Sequence, residues 1–348
     1  MQQRILGRTG ISVSTFALGT LRLGAWGNQD HDDAMRIVHT ALDAGINLVD
    51  TADQYSGGEA ERIVGKAVRE RRDDVVIATK GHFPLQLGDR TPNRRGNSRR
   101  WLTRAVEDSL RRLGTDRIDL YQVHRPDPDT DIDETLSVLS DLVRAGKIMA
   151  IGTSDFPAEE LVEARWAAER GGHIPFRTEQ PPYSMLVRGI EADVLPTARR
   201  HGLGVLTWSP LNSGWLAGRI RRGEPIEMTP FRQVLRHRFD LDLPGNRAKL
   251  DAVERLQELA KEAGLPLTHL ALAFASAHPA VTSVILGART VEQLTDQLAA
   301  AEVRLDDEIL DRIDEIVAPG VTLNPADVEY RSVALTDPEA RRRPYHHR

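Results

Sequence analysis

Apolar and polar positions along this chain follow two alternating rhythms. Short, nearly continuous apolar runs recur at 15–20 (TFALGT), 46–51 (INLVDT), 75–80 (VVIATK), 118–124 (IDLYQVH), 148–154 (IMAIGTS), 177–183 (RTEQPPY), 204–210 (GVLTWSP) and 283–288 (SVILGA). Between them lie amphipathic stretches such as DDAMRIVHTALDAG, WLTRAVEDSLRRLG and DETLSVLSDLVRAG, with apolar residues three and four apart, the spacing of one helix face. Gly45, Gly114, Gly146 and Gly202 follow the last apolar turn of their stretches, where a left-handed residue stops a helix. Strands buried on both faces and separated by helices predict a parallel sheet. Eight such units in about 300 residues predict an α/β fold closed into a (β/α)8 TIM barrel. Two β-prone stretches around the 7–10 turn predict a hairpin over 1–14. The chain, 1–348, reads as one barrel domain ending in an extension over 319–348.

Two segments break the rhythm, 82–97 after the third barrel strand and 212–247 after the seventh. Both fall at the C-terminal ends of strands, where barrel active sites are built, and long loops there are usually functional.

Composition narrows the chemistry. The 348 residues include no cysteine, which excludes disulfides, thiol nucleophiles and Cys-ligated metal sites. Forty-six Lys and Arg stand against 51 Asp and Glu, mixed in sign along the chain, a poor match for a nucleic-acid scaffold. No run approaches a membrane span and the start MQQRILGRTG lacks a signal-peptide core, so a soluble, cytoplasmic protein with no membrane partner is expected. The His346-His347 pair has no third ligand at a supporting spacing, and no metal is expected.

The strand ends converge on one rim. They bring Asp50 and, five residues on, Tyr55 after the second barrel strand, Lys80 at the end of the third and His124 at the end of the fourth. Singly, each has a packing explanation: a turn cap, a half-buried aromatic, a snorkelling lysine, a core histidine. Together they suit carbonyl reduction. A lysine ammonium beside the phenol is expected to lower its pKa, Asp50 to hold Lys80, Tyr55 to give a proton, and His124 to orient the carbonyl oxygen. Such a site needs a hydride source, which implies a nicotinamide cofactor. The dinucleotide fingerprint G-x-G-x-x-G is absent, its nearest approach being HGLGVLT at 201–207, so a Rossmann dehydrogenase is not expected.

In order and spacing, GTLRLG at Gly19, VDTADQY at 49–55, ATK ending at Lys80, QVHRPD around His124, GTSDF at Gly152, EQPPYS at Glu179, TWSPL at Thr207 and LGARTVEQL at Leu286 resemble the aldo-keto reductase superfamily. The branch resembled is the bacterial one akin to the potassium-channel β subunits. The resemblance implies an oxidoreductase with Asp50, Tyr55, Lys80 and His124 as catalytic residues and NADP(H) lying across the C-terminal mouth. It implies Gly19, Thr20 and Leu21 under the nicotinamide end beside Asp50, Ser154 and Gln180 at its carboxamide, and the Trp208 ring stacked on it, with Asp155 among the cofactor positions but, as a carboxylate, expected to point away. Ser209, Pro210, Leu211, Gly214, Leu216 and Gly218 match the loop over the pyrophosphate. Gly287 and Arg289, with Arg219 and Arg232, match the surroundings of the 2′-phosphate, and Gln293 and Gln297 those of the adenine. The register of the long loop leaves Arg219 and Arg232 open between phosphate and solvent. Guanidinium forks at a phosphate dianion would favour NADPH over NADH.

Three positions bear on the substrate and cofactor. Many relatives have Ser-Asn where this chain has Ser154-Asp155, and a carboxylate only accepts hydrogen bonds. Gln297 stands where many carry Asn, one methylene shorter. His124 is kept where steroid double-bond reductases carry glutamate, which favours carbonyl substrates. Alternatives to a reductase of small aldehydes or ketones are a slow, redox-sensing NADP(H)-binding subunit and a keto-sugar reductase of secondary metabolism. Oligomeric state is not legible in one sequence.

Overall fold

The computed structural model describes residues 1–86 and 88–343. A two-stranded antiparallel hairpin, β1 (Gln3–Ile5) and β2 (Ser12–Ser14), precedes eight parallel strands: β3 (Phe16–Gly19), β4 (Leu48–Asp50), β5 (Val76–Gly81), β6 (Ile118–Val123), β7 (Ile148–Ser154), β8 (Thr178–Gln180), β9 (Gly204–Thr207) and β10 (Val281–Gly287). The eight close into a barrel in chain order, β10 pairing with β3. The expected (β/α)8 barrel is therefore present, with eight strands where eight apolar runs fall. Several strands are shorter than their runs, and β8 stops at Gln180 because Pro181 and Pro182 have no N–H for the ladder.

The helices are α1 (His31–Asp43), α2 (Glu59–Ala67), α3 (Arg99–Leu113), α4 (Ile132–Arg144), α5 (Ala158–Gly171), α6 (Val194–His201), α7 (Pro230–Val234), α8 (Pro244–Glu262), α9 (Leu267–Ala277), α10 (Val291–Ala299), α11 (Asp307–Ile316) and α12 (Val333–Thr336). Side chains capping N-termini set several starts: Asp30 accepts from the Asp32 and Asp33 amides, and Ser98 from that of Trp101. The four helix-stop glycines all have positive φ. The long loop after β9 ends earlier than expected, since α8 begins at Pro244, a residue pre-set for a first helical turn.

Two cores result. Leu6 and Val13 of the hairpin join Ala17, Leu48, Ala78, Leu120, Ala150, Leu206 and Ile285 inside the barrel, so the hairpin plugs its N-terminal end. At the turn, Gly7 has φ 57°, and a Cβ there would lie 2.3 Å from the Arg177 carbonyl oxygen. The other core fills the space between barrel and helices. Each fully buried Leu or Ile stabilises by roughly 1.5–3 kcal/mol. With one end filled, only the C-terminal end can admit a ligand.

Among the described residues, the non-glycine positions with left-handed backbone, Ser56, Asn93, Asp155, Ser209, Asn212 and Ser213, all lie in segments that follow C-terminal strand ends. Such conformations cost of order 1–3 kcal/mol each and persist where surroundings over-determine them. Local strain is thus gathered at the face expected to carry chemistry.

Residues 321–330 cross this face. The Leu323 amide donates to the Leu186 carbonyl, Lys249 pairs with Asp327 at 3.0 Å, and Glu329 pairs with Arg125. Among the described residues no helix is long and apolar enough to cross a membrane. His346 and His347 lie outside the described residues.

Candidate active site

Adjacent strands β4 and β5 place Asp50 and Lys80 face to face. Lys80 Nζ donates to Asp50 Oδ1 at 2.6 Å, to the Thr51 carbonyl at 2.8 Å and to the Tyr55 hydroxyl oxygen at 3.5 Å. Asp50 Oδ2 accepts from Gln180 Nε2 at 2.8 Å, with Gln122 Nε2 farther off at 3.4 Å. The carboxylate is held from three strands, which fixes the ammonium under the phenol. The Tyr55 and His124 rings stand edge to face, 6.0 Å apart. All four rim residues are therefore brought together.

The electrostatics differ from the expectation in one respect. Burial, then Asp50 and Glu329, pushes the Tyr55 phenol well above its usual pKa, and no phenolate is favoured. Lys80 is itself neutralised by Asp50, and its buried ammonium is pushed down. Tyr55 is accordingly a retained proton whose oxygen accepts from Lys80. Burial, with Arg125 and Lys80, pushes His124 well below its usual value, so the imidazole is neutral. Its Nδ1 is buried without a partner.

Around these four sits an aromatic rim that sequence reasoning missed. The Trp26 ring lies 6.2 Å from Tyr55, and Phe83 5.1 Å from His124. Their signal was available, because both are aromatic residues in loops that follow barrel strands. Trp26 is set by its backbone N–H, which donates to Ser56 Oγ, and the Ser56 hydroxyl in turn donates to the Leu23 carbonyl. The loop carrying Phe83 is pinned where His82 Nδ1 meets Asn97 Oδ1 at 2.9 Å. Arg90, Arg94 and Arg95 of that loop are exposed to solvent.

The remaining predicted residues sort by geometry. Thr20 is buried with its amide and hydroxyl both on the Asp50 carbonyl, and Leu21 beside it is half-buried. Gly19 is explained by packing: a Cβ would lie 2.6 Å from Ile285 Cγ2. Ser154 Oγ donates to the Gln180 carbonyl at 2.9 Å. Asp155 has φ 57° and accepts from Trp208 Nε1 at 3.1 Å, so it orients the indole from the side. Burial pushes Asp155 up to about 6, against the pull of Arg125. Ser209, Pro210 and Leu211 lead into the turn at Gly214, and the Leu216 amide closes on the Leu211 carbonyl while its side chain is fully buried in the core. Gly218 and Gly287 face open space where a Cβ would stand.

The surface beyond is basic. Arg22, another residue sequence reasoning missed, is pushed down to about 10 by burial and by Arg289 and Arg232. Arg232, which feels Arg289 and Arg219, has Nη2 2.5 Å from where a Gly214 Cβ would lie. Gln293 Oε1 accepts from the Arg289 amide at 3.0 Å. Gln297 Nε2 donates to the Gly287 carbonyl, leaving its buried Oε1 without a partner. Clustered guanidiniums beside a buried free acceptor fit a phosphorylated nucleotide whose base presents an amino group.

A parallel barrel with a buried Asp–Lys pair, a retained phenol proton and a neutral imidazole at its rim is the scaffold of a barrel oxidoreductase. The chain belongs to the aldo/keto reductase family, whose pattern matches residues 15–318. It is 40% identical over 324 residues to an uncharacterised oxidoreductase, YrpG, of Bacillus subtilis, covering 91% of this chain and 96% of that one. It is 38% identical to the aldo-keto reductase YhdN of the same organism, over 84% of this chain and 87% of the relative. A putative voltage-gated potassium channel β subunit of Schizosaccharomyces pombe is 35% identical, over 94% and 95%.

Proposed function

We propose that this protein reduces aldehydes or ketones with NADPH and that Tyr55 gives the proton. The observation that carries the reading is the contact of Lys80 Nζ with the Tyr55 oxygen, 3.5 Å, on a phenol that burial keeps protonated. With its oxygen accepting from Lys80, the phenol has its own O–H free for a carbonyl oxygen in the mouth. When bound, the cofactor supplies a hydride to the carbonyl carbon. Neutral His124 donates a hydrogen bond to the same oxygen, and Asp50 holds Lys80 in place as negative charge passes to Tyr55. Trp26 and Phe83 cover the reacting carbonyl and exclude water.

Arg22, Arg232 and Arg289 would hold the 2′-phosphate, Gln293 and Gln297 would line the adenine, and Trp208 would lie against the nicotinamide. The substrate is a small carbonyl compound.

The test is NADPH consumption with 4-nitrobenzaldehyde, comparing the native protein with Tyr55→Phe. Turnover should fall by about 10²–10⁴ in the variant with NADPH affinity kept. Equal turnover would overturn Tyr55 as the donor. Cofactor binding with no turnover in either protein would overturn the reductase reading and favour a cofactor-sensing role, the reading that the likeness to a channel β subunit supports.

A further inference from the structure

Next in the chain to His124, Arg125 is 8% exposed, and its partners are unusual for a residue at a barrel mouth. Nη1 stands 3.1 Å from Asp155 Oδ2, and Nη2 is bound to Glu329. The guanidinium lies 5.6 Å from the Phe83 ring centre, on the ring that also packs against His124. From the long segment after β9, Arg238, 5% exposed, brings Nη2 to 3.6 Å from the other oxygen of Glu329, and its Nε is buried without a partner.

The two carboxylates that balance these arginines are not equivalent. Asp155 sits at the end of β7, is 6% exposed and also holds Trp208. Glu329 belongs to the segment that crosses the mouth, and its side chain is 43% exposed. Of the two carboxylates Glu329 alone is reached by water and lies on a segment outside the barrel, so its pairing is the exchangeable one. Exchanging it for another carboxylate leaves both buried guanidiniums neutralised, whereas a neutral occupant would strand Arg238, a costly outcome for a buried charge.

We propose that Arg125 and Arg238 form the recognition site for an anionic group of the substrate, and that Glu329 occupies this site until a substrate carboxylate displaces it. The substrate class is then an aldehyde or ketone carrying a carboxylate, joined by a short apolar spacer that lies along Phe83 with the carbonyl at Tyr55 and His124. This deepens the carbonyl-reductase reading and rests on it. The hydride still goes to the carbonyl carbon and the Tyr55 proton to its oxygen; the carboxylate takes no part in bond making.

The test separates binding from turnover. By calorimetry benzoate should bind the native protein at least tenfold tighter than benzamide, its neutral counterpart. Glu329→Gln should tighten benzoate by about tenfold and Arg238→Gln weaken it by about tenfold. Benzamide binding as well as benzoate, or a Glu329→Gln variant with unchanged benzoate affinity, overturns the site. In turnover, kcat/KM for 4-carboxybenzaldehyde over its methyl ester should exceed ten and rise further in Glu329→Gln. Equal values for acid and ester overturn the anion site and leave the reductase reading standing. Benzoate binding as stated with neither aldehyde consumed overturns the reductase reading, and the substrate class with it.

Discussion

Lys80 and Asp50 meet at 2.6 Å across neighbouring strands with the lysine side chain wholly shielded from water. A buried ion pair is expensive to break and inexpensive to replace as a unit, because a lone buried charge lacks both water and partner. Asp50→Leu and Lys80→Met singly should each lose about 3–5 kcal/mol in urea unfolding. The double variant should be more stable than either while remaining inactive on aldehydes. A double variant no better than the singles would show that the pair is not the unit.

Glu179, buried beneath the rim, accepts from the Thr153 hydroxyl and from the Phe156 amide at 3.2 Å. Burial pushes its carboxyl up to about 8 from an ordinary 4.5. Between those values the folded protein holds a proton that the unfolded chain has released, so stability falls as pH rises through that window. Glu179→Gln should flatten this slope, since Thr153 also has the Thr178 carbonyl at 3.1 Å as an acceptor. Urea midpoints at pH 5.5 and 8.5 for both proteins provide the check, and parallel slopes would refute the assignment.

Lys249 shows the opposite sign. It pairs with Asp327 at 3.0 Å, yet burial pushes it down to about 8 from 10.5. Between those values the unfolded chain binds the extra proton, so its contribution to stability grows as pH rises. Lys249→Met should remove that trend and cost about 3 kcal/mol or more by stranding Asp327. Because Asp327 anchors the segment across the mouth, amide exchange at Leu323 and Asp327 should quicken first. Unchanged protection there would mean the segment is held by other contacts.

At the basic end of the mouth, Arg289 should choose the cofactor. Arg289→Ala is expected to weaken NADPH by about tenfold or more and NADH by much less, the difference being the lost phosphate contact. Equal weakening of both, read by fluorescence titration, would place Arg289 away from the 2′-phosphate.

The arrangement of these residues was legible to different depths. Asp50, Tyr55, Lys80 and His124 could be placed on one rim because strand ends in a parallel barrel must converge, and strands announce themselves by local apolar runs. The protonation of Tyr55 could not, since adjacency to Lys80 argues for a phenolate. Only in three dimensions do burial, Asp50 and Glu329 combine to raise the phenol, against the pull of Arg125. Arg125 lay inside a quoted motif without a role, because Glu329, Asp155 and Arg238 reach it from distant parts of the chain.

Local chemistry in the chain thus determined the alternation of strand and helix, the helix stops, the barrel and the residues at its strand ends, all of which depend on neighbours within a few positions. Tertiary structure alone decided the hairpin plug, the aromatic rim of Trp26 and Phe83, and the basic cluster joined by Arg22. Those features arise from groups far apart in sequence, where burial and fields from several directions sum, and no local pattern carries that sum.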